Sequence, residues 1–135
     1  MNREIKFRGF SEELKCFVYG FYHEVEAEGV GYSYIFFQGH TTPVRADSVA
    51  QFTGQYDKKL KEIYEDDIVG DWTNVDGIME QSKQTVYFDE LLGQWMLDNS
   101  LKQDKTISYS LFSELQDFEY EIIGNIFENP DLLPT

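Results

Sequence analysis

Short aromatic runs, each cut off by a turn signal, constrain this chain more than any other feature. Eleven Phe, nine Tyr and two Trp make up 16% of the sequence, and such side chains favour the pleated, half-buried surface of a strand. Ile5, Phe7 and Gly9 alternate with Lys6 and Arg8, which predicts an opening strand with one buried face and with Arg3, Lys6 and Arg8 pointing outward. Residues 14–22 and 32–37 are apolar on both faces, and residues 23–28 extend the first run to the turn at Gly29-Val30-Gly31. Two adjacent strands without a polar face need cover, from a second layer of the same chain or from a subunit interface. Residues 14–37 are therefore a candidate aromatic hairpin lobe.

Further along, residues 39–43 predict a loop, since Pro43 suits a central strand poorly. Val49 and Phe52 predict an anchor in the core, residues 57–61 a charged turn, and residues 68–72 the start of a strand. Residues 84–88 and 94–97 predict a hairpin. A strand is expected over 106–109, a helical turn over 110–115 capped by Ser110, and another strand over 121–127. Asn129 before Pro130 predicts a short C-terminal helix. About eight strands and little helix define a mainly β fold. No repeat or linker interrupts the chain, so residues 1–135 are expected to form a single domain.

A chain of this length buries roughly two thirds of its unfolded surface and needs no staple to fold. The lone cysteine, Cys16, cannot make an internal disulfide. No apolar run approaches the ~20 residues of a membrane span, and the first residues lack the apolar region of a secretion signal. A cytoplasmic protein without membrane contact is the expectation. The net charge of −14 is unevenly placed. Through Lys61 eight acidic residues meet eight basic ones, whereas from Glu62 onward seventeen acidic residues meet three lysines. Such a surface repels phosphate backbones, which argues against direct nucleic-acid binding, and attracts basic partners. It also serves plain solubility.

Three ordered segments carry a family likeness. They are Arg3-Glu4-Ile5-Lys6-Phe7-Arg8; Gln51-Phe52-Thr53-Gly54 with Ile63-Tyr64-Glu65-Asp66-Asp67-Ile68-Val69; and Glu121-Ile122-Ile123-Gly124-Asn125-Ile126-Phe127-Glu128-Asn129-Pro130. Together they resemble the YopX family of phage and prophage proteins. The resemblance implies a small SH3-like β-barrel with additional strands, and brings no catalytic residues or cofactor with it. Gly54 is expected to supply a turn that a Cβ would strain. Asp66 stands where the family pattern has Gly, and Asp tolerates a left-handed conformation less well than Gly does. Lys59-Leu60 replaces an Asn-Gly pair, which leaves the shape of that hairpin open.

Glu62, Glu65, Asp66, Asp67 and Asp71 are the densest carboxylate group, yet they lack the spacing and fixed glycine of a calcium loop. His23 and His40 are the only imidazoles and show no zinc-ligand spacing with Cys16. Cys16 has no adjacent base to activate it. No phosphate-cradling motif is present. Neither catalytic nor metal residues are assigned. Tyr32, Tyr34, Glu65, Asp66, Asp67 and Trp72 are the candidate interaction surface, Tyr and Trp being common binding anchors, while Phe36 is expected in the core. The leading expectation is a non-enzymatic module that binds a protein partner or itself. The alternatives are an acidic mimic of nucleic acid that blocks a DNA-handling protein, and a divalent-metal-dependent hydrolase.

Overall fold

Alternating aromatic runs satisfy their backbone groups by pairing, and here they do so as antiparallel strands. The computed structural model describes residues 2–98 and 108–132. Among these residues the chain is mainly β, with thirteen strands and one α-helix. It divides into two compact units, Met1–Gly54 and Gln55–Thr135.

The first unit holds β1 (Phe7–Ser11), β2 (Cys16–Ala27), β3 (Val30–Phe37), β4 (His40–Val44) and the start of β5 (Ala50–Tyr56). Strand order is β4-β3-β2-β1-β5. Ala27 pairs with Val30 and Phe37 with His40, so each turn has two central residues. Those residues, Glu28-Gly29 and Gln38-Gly39, all have positive φ, the geometry that matches the twist of a hairpin. Residues 39–43, expected as a loop, thus contain most of a strand. Pro43 is accommodated because β4 lies at the sheet edge, where a missing N–H breaks no ladder.

The opening strand also departs from expectation. It begins at Phe7, after Ile5 and Lys6, and Arg8 points inward instead of outward. Arg8 is only 6% exposed, and its guanidinium lies 4.7 Å from the centre of the Phe17 ring. A delocalised cation over an aromatic face tolerates this burial better than a lysine would. Ser48, in the 3-10 turn Ala46–Ser48, accepts from the Phe10 amide at 2.8 Å and donates to the Arg45 carbonyl at 2.7 Å.

The second unit contains β6 (Glu62–Tyr64), β7 (Asp67–Gly70), β8 (Trp72–Val75), β9 (Ile78–Gln81), β10 (Gln84–Asp89), β11 (Gln94–Asp98), β12 (Ser108–Ser110), α1 (Leu111–Asp117) and β13 (Glu121–Asn125). One sheet runs β12-β11-β10-β7-β13, and β8 and β9 form a separate hairpin. Ile63, Val69, Val86, Leu97, Leu111 and Tyr120 make a dry cluster, with Trp95, Leu115 and Ile122 packed on it. The expected hairpin becomes β10 and β11, and Ser110 caps α1 by accepting from the Ser113 amide. Of the strand expected over 106–109, the first two residues lie outside the described residues. The expected C-terminal helix is a 3-10 turn over Pro130–Leu132.

Several antiparallel sheets are present and none closes into a barrel among the described residues. The closed SH3-like form implied by the family likeness is therefore not what these strands display.

Candidate functional site

Cross-strand register decides which aromatic side chains share a face, because directly opposed residues point the same way. On β2 and β3, Phe21 stands opposite Phe36, His23 opposite Tyr34, and Val25 opposite Tyr32. On β3 and β4, Tyr34 stands opposite Pro43. These residues form one continuous face of the first unit's sheet. Phe21 is 61% exposed, Phe36 43%, Tyr32 46% and Val25 39%, while Tyr34 is half-buried with its ring 6.4 Å from that of His23. Phe36, expected in the core, is on the surface because its partner Phe21 is on the solvent side of the same pleat. Ile35, its neighbour in sequence, takes the buried position instead.

A recess of about 510 Å³ is lined among others by Ile5, Val18, Ile35, Phe37 and His40, and Phe21 of the aromatic face also borders it.

The remaining candidates fall elsewhere. Tyr32 and Tyr34 belong to the first unit; Glu65, Asp66, Asp67 and Trp72 belong to the second. Trp72 is 50% exposed on the β8–β9 hairpin. Glu65 and Asp66 are half-buried and Asp67 is 2% exposed, so the acidic bend is not the solvent-facing patch that its composition suggests. The Asp67 carboxylate accepts from the Tyr64 amide at 2.8 Å and closes its own turn. Buried carboxylates persist where backbone N–H groups satisfy them.

Two further polar residues hold the second unit together, and the sequence reading passed over both. Asp57 is 3% exposed and accepts three backbone N–H bonds, from Lys59 at 2.9 Å, Lys61 at 2.8 Å and Ile122 at 3.0 Å. Asn125 accepts from Phe127 at 3.1 Å and Glu128 at 2.7 Å, and its amide donates to Glu128 at 3.0 Å. A charged turn at residues 57–61 signals a bend, but not a carboxylate that reaches 65 positions along the chain to Ile122. Among the described residues no group of three or more His, Cys, Asp and Glu side chains is placed to hold a metal ion.

A family model described as YopX protein matches residues 6–134. The chain belongs to the YopX family. No curated protein sequence matches it. A crystal structure of protein EF1440 from Enterococcus faecalis is similar in fold, with a TM-score of 0.57 and 19% identity, covering 98% of this chain and 100% of that one.

Parts of the segments that mark the YopX likeness fix turns, and other parts lie within strands. Gly54 has φ +81°, a conformation that suits glycine, but it lies within β5 and not in the turn expected for it. Asp66 has φ +69°, the left-handed conformation for which the YopX pattern supplies Gly. Leu60, in place of a glycine, has φ +64° and is 81% exposed, so the hairpin turn survives the substitution with its backbone strained. A Cβ on Gly124 would lie 2.6 Å from the side-chain oxygen of Asn129, which accepts from the Asn125 amide, so a larger residue here would have to displace that side chain.

Among the described residues no helix is long and apolar enough to cross a membrane.

Proposed function

We propose that this protein is a non-catalytic, phage- or prophage-encoded binding module that acts in the bacterial cytoplasm by docking a protein on the aromatic face of β2, β3 and β4. The partner tested first is a second copy of the same chain. The observation that carries the reading is the register pairing Phe21 with Phe36 and Val25 with Tyr32, four partly exposed, mainly apolar side chains on one surface. Contiguous exposed apolar patches mark interaction sites in folded proteins, and aromatic residues anchor them. Two buried acidic residues support the non-catalytic part, because Asp57 and Asp67 are committed to backbone amides. That commitment also removes two carboxylates from any phosphate-mimicking surface.

The test is light scattering after gel filtration over a range of concentrations, paired with capture from host lysate at low and high salt. Wild-type protein is expected to self-associate or to retain a partner, and apolar contacts should survive high salt. Phe21→Ser with Phe36→Ser is expected to abolish both while leaving the far-ultraviolet circular dichroism unchanged. A wild-type monomer that retains nothing, or a double variant that behaves as wild type, refutes the proposal.

A further inference from the structure

The second unit contains a polar recess that takes no part in the aromatic face. It has a volume of about 310 Å³, and Asp71, Gln84, Tyr109, Glu114, Phe118 and Tyr120 are among its walls. Gln84 is 2% exposed, and its side-chain oxygen Oε1 is buried without a hydrogen-bond partner. An unpaired buried acceptor is expensive to maintain in a folded protein, so its persistence in a recess wall points to a donor that arrives from outside. Two carboxylates accompany it. Neither Asp71 nor Glu114 is in an ion pair among the described residues.

The hydroxyl of Tyr120 does not meet this need. It donates to Glu114 Oε2 at 2.9 Å. Burial pushes its pKa up, and the neighbouring Glu114 and Asp71 charges push it further, so the hydroxyl keeps its proton. The ring of Phe118 stands 6.2 Å from that of Tyr120 in an edge arrangement, and Tyr109 and Phe118 are both partly open to solvent. The walls therefore offer acceptors and aromatic surface.

We infer that this recess binds a guanidinium group, held by the Asp71 and Glu114 carboxylates and the Gln84 carbonyl oxygen, against the rings of Tyr109 and Phe118. A guanidinium presents five N–H donors in one plane, which suits several separate acceptors at once. Its flat, weakly hydrated face stacks on aromatic rings, whereas an ammonium is a compact, strongly hydrated point charge. The group comes from a free alkylguanidine or from an arginine side chain of a peptide, and the recess chemistry is the same for both. The acidic excess from Glu62 onward draws either one in.

The experiment titrates the full-length protein, labelled with nitrogen-15, with butylguanidinium and with butylammonium, following the Gln84 side-chain amide and the Tyr109 and Phe118 backbone signals. Butylguanidinium is expected to shift these signals with a dissociation constant of about 1 mM or tighter, ordinary for so few heavy atoms. Asp71→Asn is expected to weaken binding about tenfold. Gln84→Met is expected to weaken it several-fold while leaving the melting temperature equal or higher, because it removes an unpaired oxygen. That combination separates a ligand-binding role from a structural one. A parallel titration with a blocked Gly-Arg-Gly peptide identifies the source: tighter binding than butylguanidinium indicates an arginine side chain, and weaker binding indicates a free guanidine. No shift with butylguanidinium, equal binding of butylammonium, or unchanged affinity in Gln84→Met overturns the inference.

Discussion

Replacing Asp57 by alanine strips one carboxylate from three backbone N–H groups, those of Lys59, Lys61 and Ile122. Hydrogen bonds to a charged acceptor contribute about 1.5–3 kcal/mol each. Their simple sum overstates the loss, because Lys59 and Lys61 are exposed and water can reach their amides once the side chain is gone. The Ile122 amide is different: its residue is half-buried and packs on the core cluster of the second unit. Weighting that bond fully and the other two by about half gives an expected loss of about 3–6 kcal/mol. Asp57→Asn keeps one oxygen but turns an N–H donor towards at least one of the amides, so about 1.5–2 kcal/mol is expected. Urea unfolding followed by tryptophan fluorescence reads the change, since Trp72 and Trp95 both belong to the second unit and Trp95 packs on its core. Amide exchange gives the local readout, with Ile122 losing protection more than Lys59. A loss below about 1 kcal/mol for Asp57→Ala, or unchanged protection at Ile122, would refute the assignment of Asp57 as a buried staple.

Two other outcomes follow from the same unit. Leu60 occupies a left-handed turn position with its side chain in solvent, so Leu60→Gly relieves strain at no packing cost and should raise stability by about 0.5–1 kcal/mol in urea unfolding, with destabilisation counting against the strain reading. Glu121 lies 2.6 Å from Lys59 and 3.6 Å from Lys58. Its hydrogen bond with Lys59 lowers the Glu121 pKa below its ordinary 4.5 and raises that of Lys59 above its ordinary 10.5. A lowered carboxylate pKa adds stability that is present above 4.5 and lost as the pH falls through the folded value; a raised lysine pKa adds stability that is present below 10.5 and lost as the pH rises through the folded value. Thermal melts of wild type and Glu121→Gln should therefore differ between those limits, converge beyond them, and draw closer in high salt. A difference that does not shrink as the pH falls below 4.5 would argue against the ion pair as its source.

Strand content was legible wherever alternation or turn chemistry was local. The runs at residues 14–28 and 32–37 became β2 and β3, and Ser110 capped α1 as its position suggests. A legible signal was passed over at Asp76-Gly77, where positive φ at both residues joins β8 to β9 in the turn that this dipeptide favours. Other features were not local. Pro43 reads as a breaker until β4 is known to be an edge strand, and Arg8 reads as a solvent residue until Phe17 is seen beneath its guanidinium. The proposed aromatic face was half legible: Tyr32 and Tyr34 were nominated from composition, but Phe21 and Phe36 joined them only through strand register. The guanidinium recess had no sequence signature, since its walls come from five separate stretches between Asp71 and Tyr120.

By itself the sequence determined a β-rich chain, its YopX membership and the places where the backbone must turn, because each rests on neighbouring residues and on short-range sterics. Tertiary structure decided which carboxylates face inward, which aromatic side chains share a surface, and that the sheets stay open among the described residues. Those outcomes depend on which distant backbone amide or ring each side chain meets. A residue's own chemistry limits such partners without choosing among them.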